Sequence, residues 1–165
     1  MKKHCGIWLF AILAWASVTA WAASGVPIAR DLSKDAAAAR AIDGAVLLVL
    51  VGEGCHYCKV ALKDFLVPMS RNKGYQGKVV MRQLEVAGNR PLRDFDGQRT
   101  TAESLASRYT QGLVPTVLLL DGAGRILAKP VVGLTTVDYY GMYLDEAIDH
   151  GVAKVRGLPV PPSTL

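Results

Sequence analysis

Cys55-His56-Tyr57-Cys58 places two thiols two residues apart. A thiol attacks a disulfide only as the thiolate, and free cysteine titrates near ~8.5, so its surroundings must lower that value. A helix N-terminus does so, because its unpaired amide donors and its dipole favour an anion. The motif follows an apolar run and the break Gly52-Glu53-Gly54, and it leads into a helical stretch. Cys55 is therefore expected at the helix start, as the exposed nucleophile. Cys58 lies one turn on. It is expected to be more buried, and close enough to resolve a mixed disulfide on Cys55. A disulfide between them closes a very short loop, and disulfide stabilisation grows with loop length. A redox role is thus favoured over a structural one.

The two inserts divide in the same way. An imidazole at His56, beside a thiolate, would stabilise the reduced form and make the disulfide more oxidising. The alternative is a solvated loop histidine. Tyr57 reads as a packing and contact residue, since a free phenol titrates near ~10. Soft thiolates also suit Cu(I) or zinc, which opens a metal-binding or metal-delivery reading through Cys55, Cys58 and His56. A tetrahedral zinc centre takes about four ligands, and His150 lies far off in sequence. A third reading is a non-catalytic adaptor that retains its cysteines as relics.

The elements around the motif follow from patterning. Ser33 can cap a helix from Lys34 to about Ile42, stopped by Gly44. Ala45 to Val51 is an unbroken apolar run, the mark of a strand buried on both faces. Lys59 to about Met69 continues the motif helix until Pro68 ends or kinks it. Lys78 to Val86 reads as a second strand, and Ala87 to Arg99, rich in glycine and charge, as a long loop. Thr100 with Glu103 forms a capping box for a short helix to about Tyr109. Thr116 to Leu120 is a third strand, Asp121 to Gly124 a hairpin turn, and Arg125 to Val132 a fourth strand. A last helix runs from Thr135 to about His150, with Tyr140, Tyr143, Leu144 and Ile148 near one face. This order builds an α/β domain with a mixed four-stranded sheet and helices on both faces.

The ends read differently. Lys2-Lys3, an apolar stretch of about 14 residues and Ala20-Trp21-Ala22 fit a secretory signal peptide over residues 1–22, cleaved near Ala22. The alternative is an uncleaved anchor, for which the stretch is short against a span of ~20 residues. Cys5 would leave with the leader, so the motif cysteines would be the two that remain. Export implies a periplasmic or similarly oxidising location, where a dithiol pairs. Residues 23–33 read as a lead-in, residues 34–150 as the domain, and residues 151–165, with Pro159, Pro161 and Pro162, as a flexible tail. The formal net charge of +5 falls to +3 without Lys2 and Lys3, and the basic residues are scattered among acids. No nucleic-acid patch is present.

With Gly54-Cys55-His56-Tyr57-Cys58-Lys59 after a buried strand, and Val114-Pro115-Thr116 before a later one, the chain resembles the thioredoxin superfamily. It looks most like small exported thioredoxin-like proteins of the SoxW-like or thioredoxin-related group. The resemblance implies the thioredoxin fold, with Pro115 cis and facing the sulfurs, and with the Val114 backbone pairing with a substrate strand. It also implies Cys55 as nucleophile and Cys58 as resolving thiol, with no bound cofactor. Partners would be protein thiol or disulfide substrates and a membrane thiol-electron donor or acceptor. Two departures stand out. Thioredoxins carry a buried acid six residues before the first cysteine, where this chain has Val49, and a tryptophan before the motif, where it has Gly54. Glu53 is the nearest acid and would act, if at all, through water. The expectation is a periplasmic thiol–disulfide oxidoreductase, a reductase for a dedicated client. His56 and the valine before the proline, which resembles that of the DsbA oxidases, pull toward oxidation.

Overall fold

The computed structural model describes residues 25–110 and 112–163. The expected leader lies outside them. Among the described residues no helix is long and apolar enough to cross a membrane.

The frame is the apolar strand β1, Ala45–Val51. It pairs in parallel with β2, Val79–Glu85, and antiparallel with β5, Thr116–Leu120. The short β6, Val131–Val132, lies antiparallel to the far edge of β5. The sheet order is therefore β2-β1-β5-β6. Because side chains alternate across a strand, β1 and β5 serve two cores. Val46, Leu48, Leu50, Leu118 and Leu120 pack with α1, Leu32–Arg40, and α5, Ala102–Ala106. Leu47, Val49, Val117 and Leu119 pack on the other face. Their partners are the helix that follows the motif and α6, Val137–Val155, which contributes Tyr140, Leu144 and Ile148. Tyr143 is half-exposed at the margin of that face.

The motif helix changes register as it runs. It begins as α2, His56–Val60, widens to a π-helix over Ala61–Leu66, and resumes as α3, Val67–Arg71. Val67 N donates to Leu62 O, five residues back. The cause is Pro68, which has no N–H and whose ring would strike the carbonyl four residues earlier in a regular helix. Pro68 thus neither ends nor breaks the helix. A separate turn, α4, Lys73–Gln76, leads to β2.

Several boundaries differ from those the sequence suggests. Asp31, not Ser33, caps α1: its carboxylate accepts from Lys34 N and from the Ser33 hydroxyl. The lead-in is not loose, since Ala29 N donates to Gln83 O, Gln83 N to Pro27 O, and Val26 and Ala29 are buried. Thr101, not Thr100, caps α5 by accepting from Ser104 N, and the helix ends at Ala106. Within the expected loop at residues 87–99, β3, Pro91–Arg93, pairs with β4, Arg99–Thr101. Leu92 is buried beneath this hairpin and Asp94 holds Arg108 at 2.8 Å, so the segment belongs to the domain rather than lying loose on its surface. The fourth strand keeps only its last two residues and an isolated bridge from Ile126 to Leu120, because Pro130 cannot donate to the ladder. Finally, α6 passes His150 and buries Gly151, Val152 and Ala153. Arg156 at its end donates to Asp43 O and Gly77 O.

Candidate functional site

β1 ends at Val51, and Gly52-Glu53-Gly54 turns the chain toward the motif helix. Gly54 has φ of 69°, a left-handed conformation that costs a side chain strain and that glycine adopts freely. Cys55 N donates to Gly52 O at 3.3 Å, which closes the turn. Cys55 then stands at the N-cap of α2 in extended backbone, and its Sγ accepts from Cys58 N at 3.1 Å. A sulfur in this position receives one of the amide donors that the first helical turn cannot pair internally.

Cys55 and Cys58 form a disulfide with Cα atoms 5.3 Å apart. Their exposures differ as the chemistry requires. Cys58 is 2% exposed, whereas Cys55 is half-buried. His56 and Tyr57 point outward, with their rings edge-on at 5.8 Å. Glu53 is exposed in the turn, and Val49 is fully buried in β1.

The second half of the site comes from a distant part of the chain. Leu50 pairs with Thr116, so the residues before β5 arrive beside the end of β1. The Val114–Pro115 peptide is cis. Thr116 Oγ1 donates to Leu113 O, and Gly133 N donates to Pro115 O at 2.7 Å, which fixes the segment from both sides. Val114 lies against the motif turn: a Cβ added at Gly52 would sit 3.2 Å from Val114 Cγ2 and 3.9 Å from Cys55 Cβ. The structure thus brings Cys55, Cys58, Val114 and Pro115 together, with Glu53, His56 and Tyr57 on the rim. Val49 stands behind them, in the core. Among the described residues, no three His, Cys, Asp or Glu side chains converge to hold a metal ion.

Gly52 is the site residue that sequence reasoning missed. It reads there only as a strand breaker, yet its missing side chain leaves the room that Val114 occupies. Leu113, 63% exposed beside the proline, is a second. An apolar residue in an exposed loop next to a Val-Pro pair is the signal that could have found it.

The model of the thioredoxin-like domain family matches residues 32–148, more than two thirds of the chain. The chain belongs to the thioredoxin-like family. No curated protein gives a significant match. A solved thioredoxin-fold protein from Helicobacter pylori is similar at 18% identity and a TM-score of 0.42, over 71% of this chain and 87% of that one. A thioredoxin-like domain that carries a CxxC disulfide at its strand-to-helix junction supports a redox role of the thiol–disulfide exchange type.

Proposed function

We propose that this thioredoxin-like protein is an exported thiol–disulfide oxidoreductase that reduces the disulfide of a dedicated protein client. The observation that carries the reading is the inequality of the two sulfurs. Cys55 Sγ is reachable and takes the Cys58 amide hydrogen bond, while Cys58 is buried one turn behind it. A hydrogen bond to an ionised group contributes about 1.5–3 kcal/mol, so this amide favours thiolate at Cys55 in the reduced protein.

The exchange runs in two steps. Cys55 thiolate attacks one client sulfur; a Cys55–client bond forms, the client disulfide breaks, and the second client sulfur leaves as thiolate. Cys58, deprotonated, then attacks Cys55 Sγ. The Cys55–Cys58 bond forms and the first client sulfur leaves. The client gains two electrons, and the protein loses two. The Val114 backbone pairs with the client strand, and Pro115 holds that edge against the sulfurs. A membrane thiol donor then restores the dithiol. His56, on the rim, tunes the potential of the pair.

Cys55→Ser is expected to abolish exchange with a protein disulfide, and Cys58→Ser to accumulate a mixed disulfide visible on a non-reducing gel. Exchange by the double serine variant would end the reading. The potential decides direction: a value near ~−270 mV supports a reductase, and one near ~−120 mV an oxidant.

A further inference from the structure

The β3–β4 hairpin opposes two like charges on its outer face. Its ladder is fixed by two bonds, Asp94 N to Gln98 O and Ala102 N to Arg90 O, at 2.9 and 3.0 Å. Hydrogen-bonded and non-hydrogen-bonded pairs alternate between them, so Leu92 and Thr100 bond to each other and Arg93 and Arg99 form a non-hydrogen-bonded pair. In such pairs the Cα atoms approach to ~4.5 Å and the side chains lie closest. Leu92 is buried, so its neighbour Arg93 and the opposed Arg99 stand on the outer face, where both are exposed. Like charges directly opposite destabilise a sheet. Arg93 Nη1 donates to Gly97 O at 2.9 Å, and Asp31, bridged to Arg93 from the lead-in, is already committed to capping α1. Arg99 has no ion-pair partner among the described residues.

The same alternation turns the backbone groups of Arg93 and Arg99 away from the hairpin. On the β3 side the lead-in meets them, with Arg93 N donating to Arg30 O at 2.9 Å. On the β4 side no further strand pairs. Arg99 N–H and C=O, and Thr101 N–H, have no backbone partner among the described residues. An open edge is a template for another strand, and one charge suffices to guard it. The second, opposed arginine adds repulsion, and a ligand that spans both explains it. The pair repels a second copy of this edge and any basic segment, and it matches carboxylates, which guanidinium groups hold through paired N–H···O bonds. We propose that the edge of β4 takes an extended acidic segment of a partner protein. Its backbone would pair with Arg99 and Thr101, and its outward carboxylates would lie against Arg99 and Arg93. An anionic membrane surface fits less well. Phe95 in the hairpin turn packs inward, since a Cβ added at Gly124 would sit 2.7 Å from its ring, and Asp94 and Asp96 flank it. The turn thus presents acids, not an apolar wedge, to a bilayer.

The test titrates the full ¹⁵N-labelled chain, in its disulfide form at neutral pH, with the peptide acetyl-Glu-Val-Glu-Val-Glu-amide. Its alternation places the carboxylates on one face of a strand. The same peptide with glutamine for each glutamate is the neutral control. Saturable shifts are expected at the Arg99 and Thr101 amides, with the glutamine peptide at least tenfold weaker. At saturation, hydrogen exchange at the Arg99 amide should slow at least tenfold, which reports backbone pairing rather than charge contact alone. Arg93→Gln and Arg99→Gln should each weaken binding several-fold, and the double variant at least tenfold. Because Arg99→Gln removes a repulsion, its urea midpoint should equal or exceed that of wild type. Any of five results would overturn the proposal. They are equal binding of the two peptides, unchanged exchange at Arg99 in the saturated chain, undiminished binding by the double variant, and a lower midpoint for Arg99→Gln, which would make Arg99 a residue of the fold. The fifth is binding to phosphatidylglycerol vesicles where the acidic peptide gives no shifts, which would assign the face to a membrane.

Discussion

Gly52→Ala inserts one methyl group between the motif turn and Val114. Gly52 has no positive φ, so alanine brings no backbone strain. Its effect comes from the Cβ, 3.2 Å from Val114 Cγ2. Carbon atoms rest at ~3.5–4.0 Å, so Val114 must retreat by roughly 0.5 Å. Overpacking a filled core costs about 1–3 kcal/mol. Here both residues are half-buried, and the lower end applies. Replacing glycine also restricts the unfolded chain, which returns ~0.4–1 kcal/mol. Stability should therefore stay within about 1 kcal/mol of wild type. Function should not. If the Val114 backbone binds the client strand, a displaced edge loses about 1–2 kcal/mol of hydrogen bonding, a ~5- to 30-fold fall in exchange rate. The assay compares reduction of a protein disulfide with reduction of a small aromatic disulfide that needs no strand pairing. The expected result is a selective loss with the protein substrate, at an unchanged urea midpoint. Equal loss with both substrates would place the effect on the sulfurs. No loss with either would remove Val114 from client binding.

Two further predictions concern the frame. Gly44→Ala would set a Cβ 2.3 Å from Lys78 O, which accepts the first β1–β2 bond from Ala45 N; backbone must move, and urea denaturation should show a loss of about 2 kcal/mol or more. Asp35 is buried on α1 and paired with Arg82 at 2.7 Å, and burial, outweighing the arginine, raises its carboxyl above 3.8. The folded state then holds this proton more tightly than the unfolded chain, so the contribution of Asp35 is full below 3.8 and declines as pH rises through the raised value. Urea midpoints between pH 3 and 7 should show wild type losing ground against Asp35→Asn as pH rises through that window, and parallel curves would refute the shift.

What was legible in the sequence was whatever a short window encodes. β1 is apolar throughout because both its faces are buried, so the run itself marks the central strand. The CxxC at a strand end and the Val-Pro-Thr before β5 are equally local. The rest depends on distant partners. β3 and β4 have three residues each, too few for alternation to register, and Asp96-Gly97 was the one turn signal between them. The π-helix is a response to Pro68, which alone cannot distinguish a break from a change of register. Asp35 and Arg82 meet only through folding.

Val49 poses the remaining chemical question: what takes the proton from Cys58? Among the described residues the buried polar or charged side chains are Asp35 and Thr116, besides the phenol of Tyr140, which burial pushes up to about 12 and which is therefore no base near neutral pH. Asp35 lies on α1, and Thr116 alternates with Val117, so both face away from the motif helix. Val49 is fully buried on the correct face, in one cluster with Ala61 and Leu66 of that helix. Val49→Asp would put a carboxylate there. Burying it without a partner should cost about 3 kcal/mol or more, seen as a lower urea midpoint. The same carboxylate would offer Cys58 a nearby base. The mixed disulfide formed by wild-type Cys55 should then decay faster in the variant, most clearly below neutral pH, where a thiol without a base is protonated. The comparison is made in single turnover on the folded fraction, so the lost stability does not enter the rate. Equal decay across pH in the two proteins would show that the proton on Cys58 does not limit resolution, and that a buried acid is dispensable in this site.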